Sequence, residues 1–493
     1  MGPLDLLVIG AYLLWVVLSG VFFARRQQST ERYFFAGQNV PWWAIGASIV
    51  ATETSTISFI SVPGIAYVRG GNFTFLQLVL GYLIGRVVVC ILFIPSYFRG
   101  KLTTVYELLE TRFGRGVTAL AASLFVVMRT IADAVRLLLT AIVIAAVYVV
   151  FNPAASLPLA ISMSVVGMGL VMIVFTFFGG MEAVVWIEVV QLGIYIAGAI
   201  AAAVVLVNLI PGGLHTAVSL GIAHDKFRVF DFGADLTRTY GFWAGLIGGC
   251  FLTMSTHGTD QYMVQRYLST EGPRPAAMGL LASGVVVFLQ FTGFLFLGVL
   301  LFAFYRPDQL VAYGNGPAAA PFAAGDQVFA DFITHHLPTG IAGLVVAAIL
   351  AAAMSSSLNS IAATAVADLY RPLVPRKPDA HYLRVSHVLT VLAGAAQIVV
   401  ALAIQGQTRS ALDTALSVAS LINGPILGVF LLGSLRRGGP LAALLAMTAG
   451  VAVVMTVRFT TPVAWPWYTV IGSLSTLVAG LLVTLLVREN VAD

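Results

Sequence analysis

Polar residues interrupt a long apolar stretch near the N-terminus, residues 42–68. Six of them fall within seven consecutive positions: Thr52, Glu53, Thr54, Ser55, Thr56 and Ser58. A helix that enters a bilayer at Trp42 and rises ~1.5 Å per residue reaches Glu53 after roughly 16 Å, about half of the hydrocarbon thickness. A carboxylate there must face protein, water or a cation. Because hydroxyls compete for backbone carbonyls, the pattern predicts a broken helix whose carbonyls coordinate an alkali cation. The alternative is a kinked helix that faces the bundle with satisfied hydroxyls.

A second polar cluster lies in residues 253–266. Its Asp260 and Gln261 are candidates for hydrogen bonds to a polar solute. We expect Arg266, at the cytoplasmic end, to be a topology anchor. His257 is expected to be a satisfied interhelical histidine rather than a proton carrier.

A third cluster places Ser355, Ser356 and Ser357 after a run of small residues. Small residues let helices approach closely. The serine hydroxyls, together with free carbonyls from residues 51–58, would form a neutral oxygen cage for Na⁺. Helix packing alone is the alternative.

Other charges lie inside apolar segments. Glu188 has Gln191 on its helix face at i+3, and a buried carboxylate there must be protonated or matched to a cation. Asp133 can pair with Arg129 and Arg136 along one helix, which leaves one net positive charge. This group is either a structural ion network or an anchor for a solute carboxylate.

The composition indicates a membrane protein. The 493 residues are 59% hydrophobic and 10% charged, whereas a soluble domain is roughly 25% charged. Backbone groups must be satisfied inside lipid, so the chain is expected to be all-α and polytopic. Cys90 and Cys250 lie in apolar segments and indicate neither a disulfide framework nor a cysteine metal site. The net charge of +5 is expected for an inner-membrane protein and does not indicate nucleic-acid binding.

About thirteen transmembrane helices are expected. The predicted spans are 4–24, 42–68, 74–98, 117–150, 157–178, 183–210, 240–268, 279–304, 326–366, 382–405, 411–432, 440–457 and 465–487. Of the 26 Lys and Arg residues, sixteen lie on the side reached after the first span and seven on the other. The positive-inside rule then predicts a multi-pass protein of the inner (plasma) membrane, with the N-terminus outside and the C-terminus cytoplasmic.

Helices two to six and seven to eleven form two sets of five, which insert with opposite topology because each set has an odd number of crossings. The expected organisation has five parts. They are an extra N-terminal transmembrane helix with a cytoplasmic loop (1–41), a first inverted repeat (42–210), an extracellular loop (211–239), a second inverted repeat (240–432) and two C-terminal helices (433–493). Each repeat opens with an interrupted helix, which predicts a solute site at the midplane. Coincidence is the alternative.

Several motifs, in their order and spacing, resemble the sodium/solute symporter family, which includes the sodium/glucose, sialate, proline, iodide and monocarboxylate cotransporters. The motifs lie at 33–43, 61–64, 104–113, 179–186, 260–266 and 357–370. The resemblance implies a LeuT-type fold, an inverted five-plus-five helix repeat, that works by alternating access. It also implies Na⁺ as the coupling ion.

The resemblance further implies ion ligands. The main sodium site of the family takes carbonyls from the first broken helix, which match Ala51 and Thr54 here. Two alignments of the serine run stay open for its hydroxyl side. One places Ala352 and its neighbour where the family has a serine pair, and the other places Ser355 and Ser356 there.

Under the first alignment, the two serines match hydroxyls of a second sodium site found in some members. The acidic partner of that site would be Glu188. The predicted ion ligands are therefore Ala51, Thr54, Ala352, Ser355, Ser356 and Glu188.

Solute contacts are also implied by the resemblance. Ser58, Gln77 and Asp260 fall where sugar-transporting members place polar contacts. Arg129 matches an arginine that acid-transporting members use for a carboxylate. The predicted solute contacts are Glu53, Ser58, Gln77, Arg129, Asp260 and Gln261.

The sequence thus predicts sodium-coupled symport of a small polar organic solute, such as a sugar, sialate, monocarboxylate or amino acid. No covalent chemistry, organic cofactor, nucleic acid or obligate protein partner is expected, and the partners are the solute, the sodium ion and the lipid bilayer. The first alternative is a proton-coupled symporter of the same fold that uses Glu53 and Glu188. An alternative of another class is a membrane sensor or receptor with a transporter-like body.

Overall fold

A computed structural model describes residues 2–24, 29–54, 56–100, 102–152, 154–306, 321–322, 325–354, 357–405 and 411–487. These residues form helices and connecting turns, and no strand occurs among them. In chain order the α-helices are α1 (Pro3–Ala24), α2 (Thr30–Phe35), α3 (Trp42–Glu53), α4 (Thr56–Tyr67), α5 (Leu76–Leu92), α6 (Ile94–Tyr97), α7 (Glu107–Phe113), α8 (Arg115–Phe151), α9 (Leu157–Leu209), α10 (Gly213–Ala223), α11 (Gly249–Gly258), α12 (Gln261–Leu268), α13 (Pro273–Tyr305), α14 (Asp326–His335), α15 (Ile341–Met354), α16 (Leu358–Thr364), α17 (Arg371–Leu373), α18 (Asp379–Ala403), α19 (Ala411–Ser434), α20 (Pro440–Thr460) and α21 (Pro466–Val487). Short 3₁₀ turns lie at Ala36–Gln38 and Phe73–Phe75, and π-helical turns lie at Ala244–Gly248 and Ala365–Tyr370.

Eight of the described helices are long and apolar enough to cross a membrane, or nine if the bent pair α3 and α4 is one span. The longest, α9, has 53 residues. At ~1.5 Å per residue that is roughly 80 Å, more than twice the ~30 Å of a hydrocarbon core. Gly180 divides it, because its backbone is non-helical at φ 57° and ψ −164°, a conformation that glycine adopts without a side-chain clash. The predicted boundary at 178–183 falls at this point, and the count of thirteen spans stays a prediction.

The helix breaks lie where the polar clusters predicted them. α3 and the following helix meet at a bend of 60°, and Thr54 has non-helical angles of φ −81° and ψ 67°. The second break separates α11 from α12 at Thr259 and Asp260. The Asp260 carboxylate accepts a hydrogen bond of 2.9 Å from the backbone N–H of Tyr262. It is therefore the N-cap of α12, a position that favours aspartate.

The two broken helices are held by long neighbours. α3 and α4 both pack along α13, α3 also packs on α9, and α4 contacts α8 and α15. The contact with α13 is close, since a Cβ added to Gly298 would lie 2.1 Å from the carbonyl oxygen of Pro63. Packing at this distance fixes α4, the second half of the first broken helix, and so helps to position the polar residues at the break.

A lysine fastens the 211–239 loop to the C-terminal end of α4. The ammonium group of Lys226 donates to the carbonyl oxygens of Ala66 (2.8 Å), Tyr67 (3.3 Å) and Val68 (2.6 Å). The side chain is fully buried, with Nζ 4.1 Å from the centre of the Phe302 ring. A cation stabilises a helix C-terminus, because the last carbonyls there have no helical partners and carry partial negative charge.

We expect the Lys226→Met substitution to lower the free energy of unfolding by about 2 kcal/mol, because charge-assisted hydrogen bonds to three carbonyls are lost. Thermal unfolding of the purified protein in detergent measures this loss. The matched control is Lys377→Met, because Lys377 is exposed. Equal melting temperatures for the two variants would show that the hydrogen bonds of Lys226 do not stabilise the protein.

Candidate functional site

A cavity of about 170 Å³ lies at the two helix breaks. A single water needs roughly 10–15 Å³ of such space, so the cavity has room for a small organic solute. Its lining combines residues of both breaks with aromatic side chains and arginines: Thr52, Glu53, Ser58, Phe75, Tyr82, Arg129, Ala132, Arg136, Leu252, Thr253, Thr256, His257, Asp260, Tyr262, Met263, Phe291 and Ala419. The predicted solute contacts Glu53, Ser58, Arg129 and Asp260 are thus brought together.

Glu53, at the end of α3, forms an ion pair that bridges to the second broken helix. Its two carboxylate oxygens lie 2.5 and 2.6 Å from Nη2 of Arg86. Oε1 also lies 2.5 Å from Nε2 of His257, which belongs to α11. His257 is thereby a satisfied interhelical histidine, as its surroundings predicted, and its partner is the carboxylate at the other break.

The hydrogen bonds of His257 fix its tautomer. Nδ1 lies 2.6 Å from the hydroxyl of Tyr267, and Nε2 faces the acceptor-only carboxylate of Glu53. Nε2 must therefore carry the hydrogen, and a neutral ring then accepts the Tyr267 O–H at Nδ1. Since Arg86 already neutralises Glu53, this arrangement satisfies every polar atom of the ring without a further charge.

Arg129 lies between two carboxylates. Its Nη1 is 3.5 Å from Oδ2 of Asp260, and its Nε is 3.6 Å from Oδ1 of Asp133. Arg136 lies 3.9 Å from the same Asp133 oxygen. The guanidinium of Arg129 is also 3.9 Å from the centre of the Tyr262 ring, a cation–π contact. All three ion pairs are long compared with the usual 2.7–2.9 Å of a charge-assisted hydrogen bond.

The arginine group therefore keeps hydrogen-bonding capacity. Arg129 Nε is buried and has no hydrogen-bond partner among the described residues, and the same holds for Asp133 Oδ1. Leaving a buried donor unmet costs about 1–3 kcal/mol. Because Arg129 lines the cavity and guanidinium matches a carboxylate in a two-point geometry, a planar anion there could bind Arg129 in place of one of its long ion pairs. Asp133 Oδ2, in turn, accepts a short hydrogen bond from the hydroxyl of Ser357.

A second buried ion pair corrects the expectation for Arg266. Its side chain is 1% exposed, and Nη2 lies 2.6 Å from Oε1 of Glu188. Thr52 shares its hydroxyl hydrogen between Glu188 (3.1 Å) and Ser48 O (2.8 Å), and Ser48 donates a short hydrogen bond to Glu188. Arg266 is therefore not an anchor at the membrane surface. It was misplaced because the prediction treated 240–268 as one span, whereas the helix stops and restarts at residues 259–260.

This pair also bears on Glu188 as a predicted ion ligand. The sequence required a proton or a cation for Glu188, and the structure supplies the guanidinium of Arg266. With two hydroxyl donors as well, the carboxylate has partners for its charge inside the protein. Its proposed role in a second sodium site is therefore not supported by the geometry.

Two predicted solute contacts form hydrogen bonds to the backbone of loops instead. The amide of Gln261 accepts from Val105 N (2.8 Å) and donates to Thr103 O (3.1 Å). The amide of Gln77 donates to Tyr240 O at 2.8 Å and accepts from Asp231 N at 3.0 Å. Neither side chain lines the cavity. We correct both assignments, because each amide already satisfies peptide groups that would otherwise be unpaired.

Some of the predicted ion ligands lie among the residues that the structure describes, and others do not. Ala51 and Thr54 are buried at the end of α3, where regular helical hydrogen bonding stops. The Thr54 hydroxyl donates to Val50 O at 2.6 Å and lies 2.7 Å from the amide of Gln290. Ala352 lies near the end of α15, which packs against α4. Ser355 and Ser356 lie outside the described residues, so both alignments of the serine run stay open.

Sequence reasoning missed the partners of these charges. Arg86 was visible as a charge inside an apolar segment, but its carboxylate partner lies 33 residues away on another helix. Gln290 stands in the apolar segment that became α13 and gave no comparable signal. Intramembrane polar residues without a local partner were the available sign that each needed a distant one.

We expect the Arg266→Met substitution to lower the free energy of unfolding by about 3–5 kcal/mol, because it leaves Glu188 charged and unpaired in a dry site. The double variant Glu188→Met with Arg266→Met should lose less than Arg266→Met alone. Denaturation of the unmodified protein, the two single variants and the double variant in detergent gives the coupling energy between the two positions. Arg115→Met is the control, since Arg115 is 74% exposed in its pair with Glu110 and such pairs contribute at most about 1 kcal/mol. Additive losses at the two buried positions would contradict the pairing.

Comparison with known proteins gives a consistent set of similarities. The profile of the sodium:solute symporter family matches residues 33–450. The sodium/sialic acid symporter NanT of Aliivibrio fischeri is 32% identical over 500 residues, which cover 99% of this chain and 94% of the relative. The human sodium/iodide cotransporter is 31% identical, covering 87% of this chain and 64% of its own. The mouse sodium-coupled monocarboxylate transporter 1 is 28% identical, covering 91% of this chain and 72% of its own.

Solved structures agree with this pattern. A substrate-bound, outward-open state of a Na⁺-coupled sialic acid symporter superposes with a TM-score of 0.85 at 27% identity, covering 100% of this chain and 99% of that one. Mhp1, a nucleobase-cation-symport-1 family transporter in a closed conformation, superposes with a TM-score of 0.57 at 15% identity, covering 92% and 94%. The second likeness concerns the fold alone.

Proposed function

Because this chain belongs to the sodium:solute symporter family, we propose that it couples sodium entry to the uptake of a small organic acid. Membership establishes a multi-pass membrane transporter, with sodium as the coupling ion and alternating access as the mechanism, and not an enzyme. The predicted family, fold class and sodium-coupled symport are thereby confirmed. The chemical class of the solute is the part that we propose.

The observation that carries the proposal is the position of Arg129, which lines the cavity and is held only by long ion pairs. Its ion pairs with Asp133 and Asp260 are long, so a solute carboxylate can take the same guanidinium without first breaking a tight pair. The relatives include carriers of sialic acid and of monocarboxylates, which are both acids. These similarities support an acidic solute here.

Charge balance supports the same solute. The pairs Arg86–Glu53 and Arg266–Glu188 are each neutral. Arg129 and Arg136 face the two carboxylates of Asp133 and Asp260, so the buried set has no net charge when His257 is neutral. An acid alone would add one negative charge to a low-dielectric site. Binding it together with one Na⁺ keeps the site neutral, which gives a physical reason for the coupling.

We place the ion beside the first break. The proposed ligands are the carbonyls of Ala51 and Thr54, with Ala352 or the hydroxyls of Ser355 and Ser356 on the facing helix. Support comes from the non-helical angles of Thr54 and from the packing of α15 against α4. Carbonyl and hydroxyl oxygens at an interrupted helix are the groups with which transporters bind Na⁺.

The proton-coupled alternative is weaker. It depended on Glu53 and Glu188 as carriers, and both carboxylates form close ion pairs with arginine. A carboxylate that is neutralised in this way does not need a proton to be stable inside the membrane. Family membership also argues for transport over the sensor alternative.

The orientation and the repeat boundaries remain part of the proposal. We place the N-terminus outside and the C-terminus in the cytoplasm of the plasma membrane, supported by the excess of Lys and Arg on one side. The inverted repeats are proposed as 42–210 and 240–432. Their support is that α3–α4 and α11–α12, the breaks that open them, lie at one cavity.

Uptake into liposomes that contain the purified protein tests the solute class. Under an inward Na⁺ gradient we expect uptake of an acid, with labelled N-acetylneuraminate and pyruvate as the probes, and none of glucose. Arg129→Gln should weaken apparent affinity by about 30-fold or more, since truncating one side of a buried charge pair costs at least ~2 kcal/mol. Arg115→Gln, on the exposed surface, is the control. Sodium-driven uptake of glucose with no uptake of either acid would contradict the proposal.

The ion site has its own test. We expect Ser356→Ala to reduce the rise in melting temperature that Na⁺ gives over K⁺, because a hydroxyl ligand is lost. Ser434→Ala is the matched control, since the Ser434 hydroxyl bonds to Phe430 O of its own helix. A sodium-induced shift as large in Ser356→Ala as in the unmodified protein would remove Ser356 from the site.

A further inference from the structure

Glu53 lines the cavity with a side chain that is partly exposed. Its side chain is 16% exposed, whereas those of its partners Arg86 and His257 are 1% and 2% exposed. Because Glu53 lines the cavity, the exposed part of the side chain faces the space that a solute occupies. The two partners hold the carboxylate in place from behind, so its orientation is fixed before any solute arrives.

The carboxylate has acceptor capacity to spare. Oε1 accepts from Arg86 and His257, while among the described residues Oε2 accepts only from Arg86. Each carboxylate oxygen has about two acceptor sites, so Oε2 can accept at least one more hydrogen bond. An ionised carboxylate has no hydrogen to donate. The chemistry that Glu53 offers to the cavity is therefore acceptance alone.

Neighbouring hydroxyls have already used their hydrogens. Thr52 shares its hydrogen between Ser48 O at 2.8 Å and Glu188 at 3.1 Å. Ser58 donates to Glu53 O at 3.1 Å, and Thr256 donates to a carbonyl of its own helix at 3.0 Å. Each oxygen keeps lone pairs. This end of the cavity is thus rich in acceptors, whereas Arg129 supplies donors elsewhere in the same cavity.

We propose that the solute is an organic acid with a second pole, a hydroxyl, amide N–H or ammonium group remote from its carboxylate that donates to Glu53. The inference rests on the proposed function, since it takes the carboxylate to be held at Arg129. Glu53 is then a specificity-determining residue. An acid with an apolar tail would displace water from the Glu53 carboxylate and would donate no hydrogen bond to it in exchange.

Such a site discriminates against acids that lack a second donor, because they leave the spare acceptor site of the Glu53 carboxylate without a hydrogen bond. Burying a polar group without a partner costs about 1–3 kcal/mol, and more when the group is charged. This corresponds to roughly 5- to 150-fold in affinity. Polyhydroxylated acids and amino acids are accordingly the favoured classes, and unsubstituted fatty acids are the disfavoured class.

Competition against N-acetylneuraminate uptake in liposomes under an inward Na⁺ gradient tests this. The competitors are matched linear acids: butyrate against 4-hydroxybutyrate and 4-aminobutyrate, and hexanoate against 6-hydroxyhexanoate. We expect a terminal donor to improve competition by at least 5-fold at one of the two lengths. In Glu53→Gln, whose amide keeps one acceptor but loses the charge, that advantage should shrink at least 3-fold.

The advantage is a ratio within one protein, so it does not depend on how much of the variant folds. Glu110→Gln, at an exposed cytoplasmic pair, is the control and should keep the full ratio. No advantage at either length, or one that survives in Glu53→Gln, would overturn the assignment of Glu53 while leaving acid transport intact. If neither N-acetylneuraminate nor any of the acids is transported with Na⁺, the proposed function itself fails and this inference falls with it.

Discussion

Charge inside the hydrocarbon has to be matched within the protein, because no water is available there to solvate it. Three buried clusters meet that requirement, centred on Arg86 with Glu53, on Arg129 with two aspartates, and on Arg266 with Glu188. The first and third contain close ion pairs. The second contains only long ones, and it lines the cavity together with Glu53 and His257 of the first. The solute site that we propose is thus the place where the charges are least closely paired within the protein.

The same clusters join the two broken helices. Glu53 at the first break bonds to His257 of α11, and Arg266 of α12 bonds to Ser48 of α3. Asp260 at the second break faces Arg129 of α8. Removing one charge would therefore disturb both breaks, since each partner is held by an element of the other half. Alternating access must move these helices while keeping their charges paired, or exchange the partners as it proceeds.

The sequence predicted more of the fold than of the site. Six polar residues between Thr52 and Ser58 were enough to locate the first break, because such residues disrupt a helix wherever they fall in lipid. Boundaries of the long helices followed from hydropathy for the same reason. The partners did not follow, since Glu53 and Arg86 lie on different helices whose approach depends on packing. Sequence patterns did not predict contacts between residues that are distant in the chain.

Particular errors have the same origin. Gln77 was assigned as a solute contact from the family resemblance and Gln261 because it lies in a polar cluster, yet each satisfies the backbone of a loop. Arg266 was predicted to be an interfacial anchor because 240–268 was taken as one unbroken span that ends near it. The helix is instead interrupted before Arg266, and α12 is a separate helix. A polar residue in a membrane segment needs a partner, and sequence alone does not say whether that partner is peptide, charge or solute.

The central claim is that an acid and a sodium ion occupy this neutral site together. The most direct test is the dissociation constant of N-acetylneuraminate, measured by calorimetry on the purified protein over a range of Na⁺ concentrations with K⁺ as the replacement. Coupling of about 1–3 kcal/mol predicts a fall of roughly 5- to 150-fold as Na⁺ rises, and the acid must tighten Na⁺ binding by the same factor. Binding of equal strength in Na⁺ and in K⁺ would contradict the account.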